Sequence, residues 1–317
     1  MRMRALIAGA AGFIGSHLVD RLLQKGYQVV GIDDLSSGRL SNLESASRFR
    51  SFSFCEADIC QPLERQLNRR NFDVVVNLAS LASPPMYQAR PLHTLRTGSI
   101  GTLNLLEVAT DSQARFVMAS TSEIYGDPEI HPQSETYFGN VNPVGERSCY
   151  DEAKRFSEAL CYTFRERRGT NVGIARIFNT YGPRLRPDDG RVVSNLIRCA
   201  LTSETFNVNG DGRQTRSLCF IDDMISGLMA LVESSAFGPI NLGNPAEVSI
   251  LDLVREVEQV AGRKITTQHV GALGDDPKRR RPDITRATEL LKWRPEINLR
   301  SGLSRTYQWM RSELRED

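Results

Sequence analysis

Short apolar runs alternate with amphipathic stretches along the first half of the chain. The runs are rich in β-branched residues and lie at residues 5–8, 29–32, 74–78, 116–119 and 172–178. Between them, apolar residues recur three or four positions apart, as at Ile14, Leu18 and Leu22, and this spacing predicts helices. Continuous apolar strands between helices are typical of a parallel sheet covered on both faces. The pattern therefore predicts an α/β fold with a Rossmann-like doubly wound parallel sheet.

The pattern changes after residue 178. Residues 179–190, NTYGPRLRPDDG, are rich in proline, glycine and charge, which indicates a crossing into a second lobe. We expect residues 1–178 to form the sheet domain, with some later segments returning to it. Residues 179–317 would form a smaller, mixed α/β lobe that binds substrate. Ligands of such folds bind beyond the carboxyl ends of the strands, so the residues that follow each strand are site candidates.

Composition narrows the possible functions. The chain has 317 residues, 40% of them hydrophobic, which is enough for a substantial core. Its 40 basic and 38 acidic residues give a net charge of +2, which does not favour nucleic acid as a partner. No segment approaches the roughly 20 apolar residues that span a bilayer. The six cysteines lack metal-ligand spacing, so we expect no metal, and reduced thiols in a cytoplasmic protein.

A glycine motif lies between the first strand and the first helix. Gly9, Gly12 and Gly15 form a GxxGxxG pattern, and Phe13 and Ile14 lie inside it. Glycines allow the backbone to approach a pyrophosphate, and the N–H groups and dipole of the new helix attract the phosphates. A tight turn would also explain the glycines. Their place in the strand and helix order favours dinucleotide binding, with all five residues as contacts.

Asp33 ends the second apolar run, about 20 residues after the glycines. A carboxylate there can accept hydrogen bonds from both ribose hydroxyls and would repel a 2′-phosphate, so NAD is favoured over NADP. An ordinary turn or cap is the alternative. Residues that end later strands are expected to line the same cleft, with Asp58 near the adenine. These further cofactor contacts are Asp58, Ile59, Leu78, Ala79 and Ser80.

Tyr150 and Lys154 form a YxxxK pair on a predicted helix, and the four-residue spacing places them on one face. The ammonium and a positive nicotinamide would stabilise the tyrosinate. Lowering its pKa from about 10 to about 7 requires some 4 kcal/mol. The result would be a general base that acts on a sugar hydroxyl, with Thr121 hydrogen-bonded to the same oxygen. YxxxK alone is a weak signal, but the dinucleotide motif upstream strengthens it.

The motifs GAAGFIG, ASTSEIYG and YDEAK resemble the extended short-chain dehydrogenase/reductase family of nucleotide-sugar enzymes. Longer strings are similar to its UDP-glucuronate decarboxylase (UDP-xylose synthase) branch, and the resemblance covers nearly the whole chain. These strings are STSEIYGDPEIHPQSE, NPVGERSCYDEAKR, ARIFNTYGPR, DGRVVSN, GDGRQTRS, NLGNP and DDPKRRRPDI. The resemblance implies that bound NAD oxidises C4 of the sugar and is later regenerated, with Thr121, Glu123, Tyr150 and Lys154 as catalytic residues.

Ser122 and Glu123 distinguish the branches by resemblance. A 4,6-dehydratase would carry an aspartate at position 122 to expel the C6 hydroxyl, and a 4-epimerase usually has a small or neutral residue at position 123. Once C4 is a ketone, the C6 carboxylate belongs to a β-keto acid and carbon dioxide can leave without an acid. We expect Glu123 to position the ring or its water and to assist proton transfer at C5. A purely structural, hydrogen-bonded Glu123 is the alternative.

The resemblance also implies a UDP-sugar site in which Arg216 and Arg281 clamp the diphosphate. The remaining members of the basic run 278–281 would then be solvated. Further substrate contacts implied by resemblance are Pro85, Tyr87, Asn179, Arg191 and Asn195. Asn209 replaces the usual tyrosine of the VYGDG string, which leaves the contact to the base open.

Two questions remain open from the sequence. The apolar faces of the helices near residues 92–110 and 150–168 resemble a homodimer interface of this family, but they could be buried within one chain. The activity could be that of a 4-epimerase or a 4,6-dehydratase of the same family. A non-catalytic NAD-binding sensor is disfavoured because Tyr150 and Lys154 are both present.

Overall fold

The computed structural model describes residues 2–63, 67, 71–271 and 279–316. The strands in chain order are β1 Arg4–Ala8, β2 Gln28–Asp33, β3 Phe52–Glu56, β4 Val74–Asn77, β5 Arg115–Thr121, β6 Val172–Ile177, β7 Thr180–Tyr181, β8 Phe206–Asn209, β9 Thr215–Ser217, β10 Cys219–Phe220, β11 Pro239–Leu242, β12 Glu247–Ser249 and β13 Thr267–Val270. The α-helices are α1 Phe13–Gln24, α2 Glu44–Ser47, α3 Pro84–Ala89, α4 Pro91–Arg96, α5 Thr102–Asp111, α6 Ser148–Arg168, α7 Val192–Thr202, α8 Ile221–Val232, α9 Ile250–Ala261, α10 Thr285–Leu291 and α11 Leu299–Glu316. Short 3₁₀ turns cover Leu40–Leu43 and Ser122–Tyr125, and a π turn covers Thr97–Gly101.

The central feature is a parallel sheet with the strand order β11-β6-β5-β4-β1-β2-β3. Every pairing in this sheet is parallel. The order reverses at β1, which starts the chain in the middle of the sheet, and this is the doubly wound arrangement. The α/β prediction is confirmed, and all five apolar runs are strands of the sheet.

The sequence pattern did not predict two strands of the sheet, β3 and β11. In β3 the side chains are only half buried, because this strand lies at one edge, and the sequence FSFCE carries no continuous apolar run. β11 lies at the opposite edge, with Pro239 opposite Ile174 of β6. It comes from beyond residue 178, so the chain does return to the sheet. The domain boundary at residue 178 stays a prediction.

Apolar side chains cover both faces of the sheet. On one face, Leu18 and Leu22 of α1 and Leu228 of α8 are fully buried in the larger cluster. On the other face, Leu105 of α5 and Phe164 of α6 join the second cluster. Because parallel strands are buried on both faces, their polar residues are concentrated at the strand ends.

The second lobe contains two small sheets beside helices α7 and α9. β12 pairs antiparallel with β9, and β13 pairs parallel with β8. The pair β7 and β10 joins this part of the chain to the main body. Within the residues that the structure describes, no helix is both long and apolar enough to cross a bilayer.

Candidate active site

A cleft of about 630 Å³ runs along the carboxyl edge of the sheet and continues between the sheet and the second lobe. The glycine loop after β1 lies at one end, and β8 with the segment before β9 lies at the other. A smaller adjoining cavity lies beyond the ends of β2 and β3. The cleft therefore has the position expected for ligands of this fold.

The glycine loop is tightly packed against the chain that follows β4. Gly9 has a φ of +78°, and a Cβ on it would lie 2.8 Å from the Ala79 nitrogen. A Cβ on Gly15 would collide with the Gly9 carbonyl oxygen. Gly12 is the residue before α1, and its N–H donates to the Gly9 carbonyl at 3.2 Å. Glycine is required at these positions because the backbone itself forms the cradle, which fits a dinucleotide pyrophosphate.

Asp33 lies in the smaller cavity together with the ends of the neighbouring strands. One carboxylate oxygen accepts from the Ala11 N–H and the other from the Leu35 N–H, both at 2.9 Å. Burial raises the pKa of this carboxyl, and the two backbone donors oppose that shift. A carboxylate has about four acceptor positions. Asp33 thus serves as a local cap and retains the capacity to accept from ribose hydroxyls.

The other expected cofactor contacts are brought together at the same edge. Gly9, Gly12, Phe13, Ile14, Gly15, Leu78, Ser80, Tyr150 and Lys154 line the large cleft, and Asp33, Asp58, Ile59 and Ala79 line the smaller cavity. Asn77 lines neither. Its amide donates to Thr102 Oγ1 at 3.0 Å and its carbonyl accepts from the Ala79 N–H at 3.2 Å. Asn77 therefore supports the turn that carries the cofactor contacts.

Thr121, Tyr150 and Lys154 meet above the carboxyl end of β5. Tyr150 is buried and hydrogen-bonded to Thr121. Lys154 Nζ donates to the Ala119 carbonyl at 2.9 Å and lies 5.9 Å from the centre of the Tyr150 ring. Helix α6 fixes the spacing of tyrosine and lysine, and the end of β5 supplies the threonine. The residues of the sequence-based hypothesis are therefore adjacent in space.

The pKa values of this group are dominated by burial. Burial raises the pKa of Tyr150 to about 12, although the hydrogen bond from Thr121 and the charge of Arg191 act in the opposite direction. Burial also lowers the pKa of Lys154 to about 8. The protein residues alone therefore keep Tyr150 protonated at neutral pH. The lower pKa expected from the sequence argument requires the additional positive charge of a bound nicotinamide.

Glu123 lies between two arginines in the cleft. Arg147 pairs with one carboxylate oxygen and Arg280 with the other. Arg280 also donates from Nη2 to the Gly126 carbonyl at 2.9 Å. Burial alone would raise the pKa of Glu123, but the two guanidinium groups overcome it and hold the pKa below its ordinary value. Glu123 is therefore ionised, and the three side chains together carry one net positive charge.

Several buried polar atoms in the cleft have no hydrogen-bond partner within the described part of the chain. They are Arg280 Nε, the Tyr87 hydroxyl and Arg184 Nη1. Tyr87 is 1% exposed, and its ring stacks on that of Tyr150 with centroids 5.2 Å apart. A buried donor without a partner costs about 1–3 kcal/mol. Such atoms in residues that line a cleft are therefore suited to a polar ligand.

Asp151 follows the tyrosine and is buried without lining the cleft. Burial and the charge of Glu123 raise its pKa to about 7. Between its unfolded pKa and this value the folded protein binds more protons, so rising pH destabilises it. We expect Asp151→Asn to increase the free energy of unfolding by about 2 kcal/mol more at pH 8 than at pH 5. Urea unfolding at both pH values measures this, with the more exposed neighbour Glu152→Gln as the control that should show little change.

The substrate-end residues divide into two groups. Tyr87, Asn179, Arg191, Asn195 and Arg216 line the cleft. Pro85 does not, because it packs beneath Gly190, where a Cβ would lie 2.8 Å from Pro85 Cγ. Arg281 does not either; its side chain is 41% exposed, and its Nη1 lies 3.8 Å from a carboxylate oxygen of Glu247. Lys278, the first residue of the basic run, is outside the described residues.

The structure places the Arg281 side chain outside the lining of the cleft and Arg280 within it. Arg279 is exposed, Arg280 is buried and Arg281 is partly exposed. This alternation is that of an extended segment, in which successive side chains point to opposite sides. Arg280, rather than Arg281, therefore lines the cleft. Arg147, the other partner of Glu123, lies in the NPVGERSCYDEAKR string, but no local pattern there marks it as a site residue.

The comparisons with known proteins agree with this geometry. The model of the NAD dependent epimerase/dehydratase family matches residues 5–243. UDP-glucuronic acid decarboxylase 1 of Xenopus tropicalis is 46% identical over 313 residues, which cover 99% of this chain and 73% of that protein. UDP-glucuronic acid decarboxylase 5 of Arabidopsis thaliana is 47% identical over 302 residues, or 95% of this chain and 87% of that protein.

A solved structure extends the likeness to the fold. The UDP-glucuronic acid 4-epimerase of Bacillus cereus, solved with UDP-glucuronic acid and NAD, has a TM-score of 0.89 and 31% sequence identity. The match covers 98% of this chain and 100% of that structure. Its ligands are a dinucleotide and a nucleotide sugar that carries a carboxylate.

Proposed function

Because the chain belongs to the NAD dependent epimerase/dehydratase family, we propose that it decarboxylates UDP-glucuronate to UDP-xylose with a bound, recycled NAD. One observation carries the proposal. A buried arginine, Arg280, is paired with an ionised glutamate and keeps its Nε without a partner within the described residues, in the same cleft as Tyr150. A nucleotide sugar with a C6 carboxylate would supply the missing acceptor.

The glycine cradle and Asp33 would hold the dinucleotide, with the pyrophosphate against the N-terminus of α1 and the adenosine ribose at Asp33. When bound, NAD accepts a hydride from C4 of the sugar and later returns it. Leu78, Ser80 and Thr121 line the cleft between the cradle and Tyr150. They would separate this region from water and hold the reacting ring against the tyrosine.

Tyr150 would exchange a proton with the C4 oxygen, and Thr121 would hydrogen-bond the same oxygen. The Lys154 Nζ is anchored to the Ala119 carbonyl. From there its positive charge would stabilise the ionised form of Tyr150. With C4 as a ketone, the bond between C5 and C6 breaks and its electron pair delocalises into the enolate. Carbon dioxide leaves, and a proton is added at C5.

Arg280 would bind the C6 carboxylate through Nε in the ground state, and Arg147 would add to the positive field. Glu123 is ionised, so it would accept hydrogen bonds and orient Arg280 and the sugar ring or its water. This keeps the role in positioning that the sequence suggested for Glu123. Since both guanidinium groups hold its pKa down, its assistance to the protonation at C5 would be indirect.

The diphosphate would lie between α7 and β9. Arg191 and Arg216 line that part of the cleft, and guanidinium groups match phosphate geometry. Arg184 pairs with Asp20 at 2.7 Å through Nη2, and its buried Nη1 has no partner within the described residues. We assign Arg184 to the same anionic ligand.

The proposal is tested by incubating the purified protein with UDP-glucuronate, without added NAD, followed by mass analysis of the nucleotide sugar. We expect a product that is lighter by one carbon dioxide. An unchanged mass with a changed sugar configuration would indicate a 4-epimerase instead. An unchanged substrate, from protein shown by its absorbance to contain NAD, would refute the proposal.

We also propose that two copies associate through helices α4, α5 and α6. These helices pack together, yet several of their apolar side chains stay at the surface, with Leu92 71%, Phe156 50% and Tyr162 58% exposed. Packing within one chain therefore does not bury this face, and a second copy would cover it isologously.

The six cysteines are free thiols, which suits a cytosolic protein, and we propose that location.

Light scattering tests the association. We expect the wild-type mass to be twice that of the chain, and Phe156→Glu to produce monomers, because a carboxylate would be buried in the interface. Phe138→Glu is the matched control, since Phe138 is 86% exposed and lies in another segment. A monomeric wild type, or an unchanged mass in Phe156→Glu, would contradict this interface.

A further inference from the structure

A buried polar network underlies the pair formed by Glu123 and Arg280. Its centre is Asn241, in the edge strand β11, and Gln133, in the loop after the Ser122–Tyr125 turn. Both residues have no solvent exposure. They belong to the NLGNP and HPQSE strings, to which the proposed chemistry assigns no role.

Gln133 is hydrogen-bonded to the segment that carries Arg280. Its N–H donates to the Arg281 carbonyl at 2.9 Å, and its Oε1 accepts from the Arg281 N–H at 2.8 Å. Its carbonyl accepts from the Asp283 N–H at 2.9 Å, and its Nε2 donates to the Ile130 carbonyl at 2.8 Å. Three of these four hydrogen bonds fix the backbone on the C-terminal side of Arg280, and the fourth holds the Gln133 side chain to its own loop.

Asn241 fastens this arrangement to the sheet. Its Nδ2 donates to the carbonyls of Gln133 and Asp283, both at 2.9 Å. Its Oδ1 accepts from the Tyr125 hydroxyl at 2.8 Å, and its N–H donates to Glu135 Oε1 at 2.8 Å. The side chain thus connects the segment of Arg280 to Tyr125, which ends the turn that begins beside Glu123.

An ion pair between Arg176 and Glu158 connects this network to the sheet and to α6. Arg176 of β6 donates to the Tyr125 hydroxyl at 2.9 Å and pairs with Glu158 of α6 at 2.8 Å. Ser120, next to Thr121 in β5, donates to the same carboxylate. The network beneath the Glu123 and Arg280 pair is thereby connected to β6 and, through Ser120, to β5, which carries Thr121.

We infer that Asn241 and Gln133 are positioning residues that hold Arg280 opposite Glu123, so that this cleft selects a sugar bearing a C6 carboxylate. The inference rests on the proposed function for the identity of that sugar. Residues 279–284, which carry Arg280, form no helix or strand, so a displacement of the Arg280 backbone would move the guanidinium away from the substrate. A misplacement of about 1 Å can cost about a hundredfold in rate.

Asn241→Asp tests the inference, because it exchanges the two amide donations for an oxygen and retains the acceptor for Tyr125. The measurements are kcat, KM and the affinity of the NAD-loaded protein for UDP-glucuronate and for UDP-xylose, which lacks the carboxylate. We expect affinity for UDP-glucuronate to fall by about tenfold and kcat by about tenfold or more, with affinity for UDP-xylose changed less than threefold.

The matched control is Asp223→Asn, also a single-atom change in a buried side chain, which accepts from the Ile297 N–H at 2.9 Å away from the cleft. It should lower thermal stability without changing the preference between the two nucleotide sugars. Equal losses for both sugars in Asn241→Asp, or an unchanged kcat, would overturn the inference. A wild-type protein without preference for UDP-glucuronate would instead refute the proposed function.

Gln133→Met provides a second variant if Asn241→Asp does not fold. It keeps a side chain of similar length but removes the acceptor for the Arg281 N–H, together with the donation to Ile130, so the same selective loss is expected. If neither variant shows a cooperative thermal transition, the network is structural rather than positioning, and the inference is wrong.

Discussion

Tyr150→Phe is expected to reduce kcat by about 10³-fold while NAD remains bound. The phenol is the group that exchanges a proton with the C4 oxygen, and general acid–base catalysis contributes about 10²–10⁴-fold. The ring itself stays, so its stacking on Tyr87 and its packing above β5 should persist. Steady-state turnover of UDP-glucuronate measures the first effect, and absorbance of the purified protein measures bound NAD.

Tyr181→Phe is the matched control for this substitution. Tyr181 is equally buried, and its hydroxyl donates to the Leu299 carbonyl at 3.2 Å outside the cleft. We expect kcat to stay within about threefold of wild type, since only one hydrogen bond of about 1 kcal/mol is lost. Substantial turnover in Tyr150→Phe would remove the tyrosine from the mechanism. Loss of NAD from that variant would point to a role in binding.

Arg280→Gln is expected to weaken UDP-glucuronate binding by about a hundredfold and to abolish measurable decarboxylation. Truncating one partner of a buried, hydrogen-bonded charge pair costs about 2–5 kcal/mol, and Arg280 is 3% exposed. UDP-xylose lacks the carboxylate, so its affinity should change much less. Calorimetric titration of the NAD-loaded protein with each nucleotide sugar separates these effects.

Arg281→Gln is the control, because this neighbour lies in the same segment and its side chain is 41% exposed. We expect little change in either affinity. The opposite result, with Arg281→Gln damaging and Arg280→Gln harmless, would restore the assignment suggested by the sequence and refute the geometry of the cleft. Thermal melts of both variants check that the loss of the pair with Glu123 has not unfolded the protein.

Sequence periodicity predicted the interior of the sheet well and its edges poorly. Strands β1, β2, β4, β5 and β6 are buried on both faces, so each leaves a continuous apolar run. An edge strand has only one crowded side, and β3 shows a half-buried pattern that resembles a loop. β11 has the sequence PINL, in which a proline and an asparagine leave no continuous apolar run.

The site could be predicted where local spacing carries the chemistry. Tyr150 and Lys154 are one helical turn apart, and the glycines that form the cradle lie within one loop, so both motifs are visible in the sequence. The pair of Glu123 with Arg280 joins residues 157 positions apart, and no local pattern encodes it. Whether Arg280 or Arg281 enters the cleft depends on which side chains of the extended segment face inward. A run of consecutive basic residues does not indicate which of them do.

The late arrival of β11 limits where the polypeptide can be divided. A fragment that stops at residue 178 would keep the glycine loop and the tyrosine but would expose the outer backbone groups of β6, a template for self-association. It would also lose Asn241. Chimeras that exchange nucleotide-sugar specificity with a relative should therefore be built from three pieces, with residues 239–242 retained from the parent that supplies the sheet.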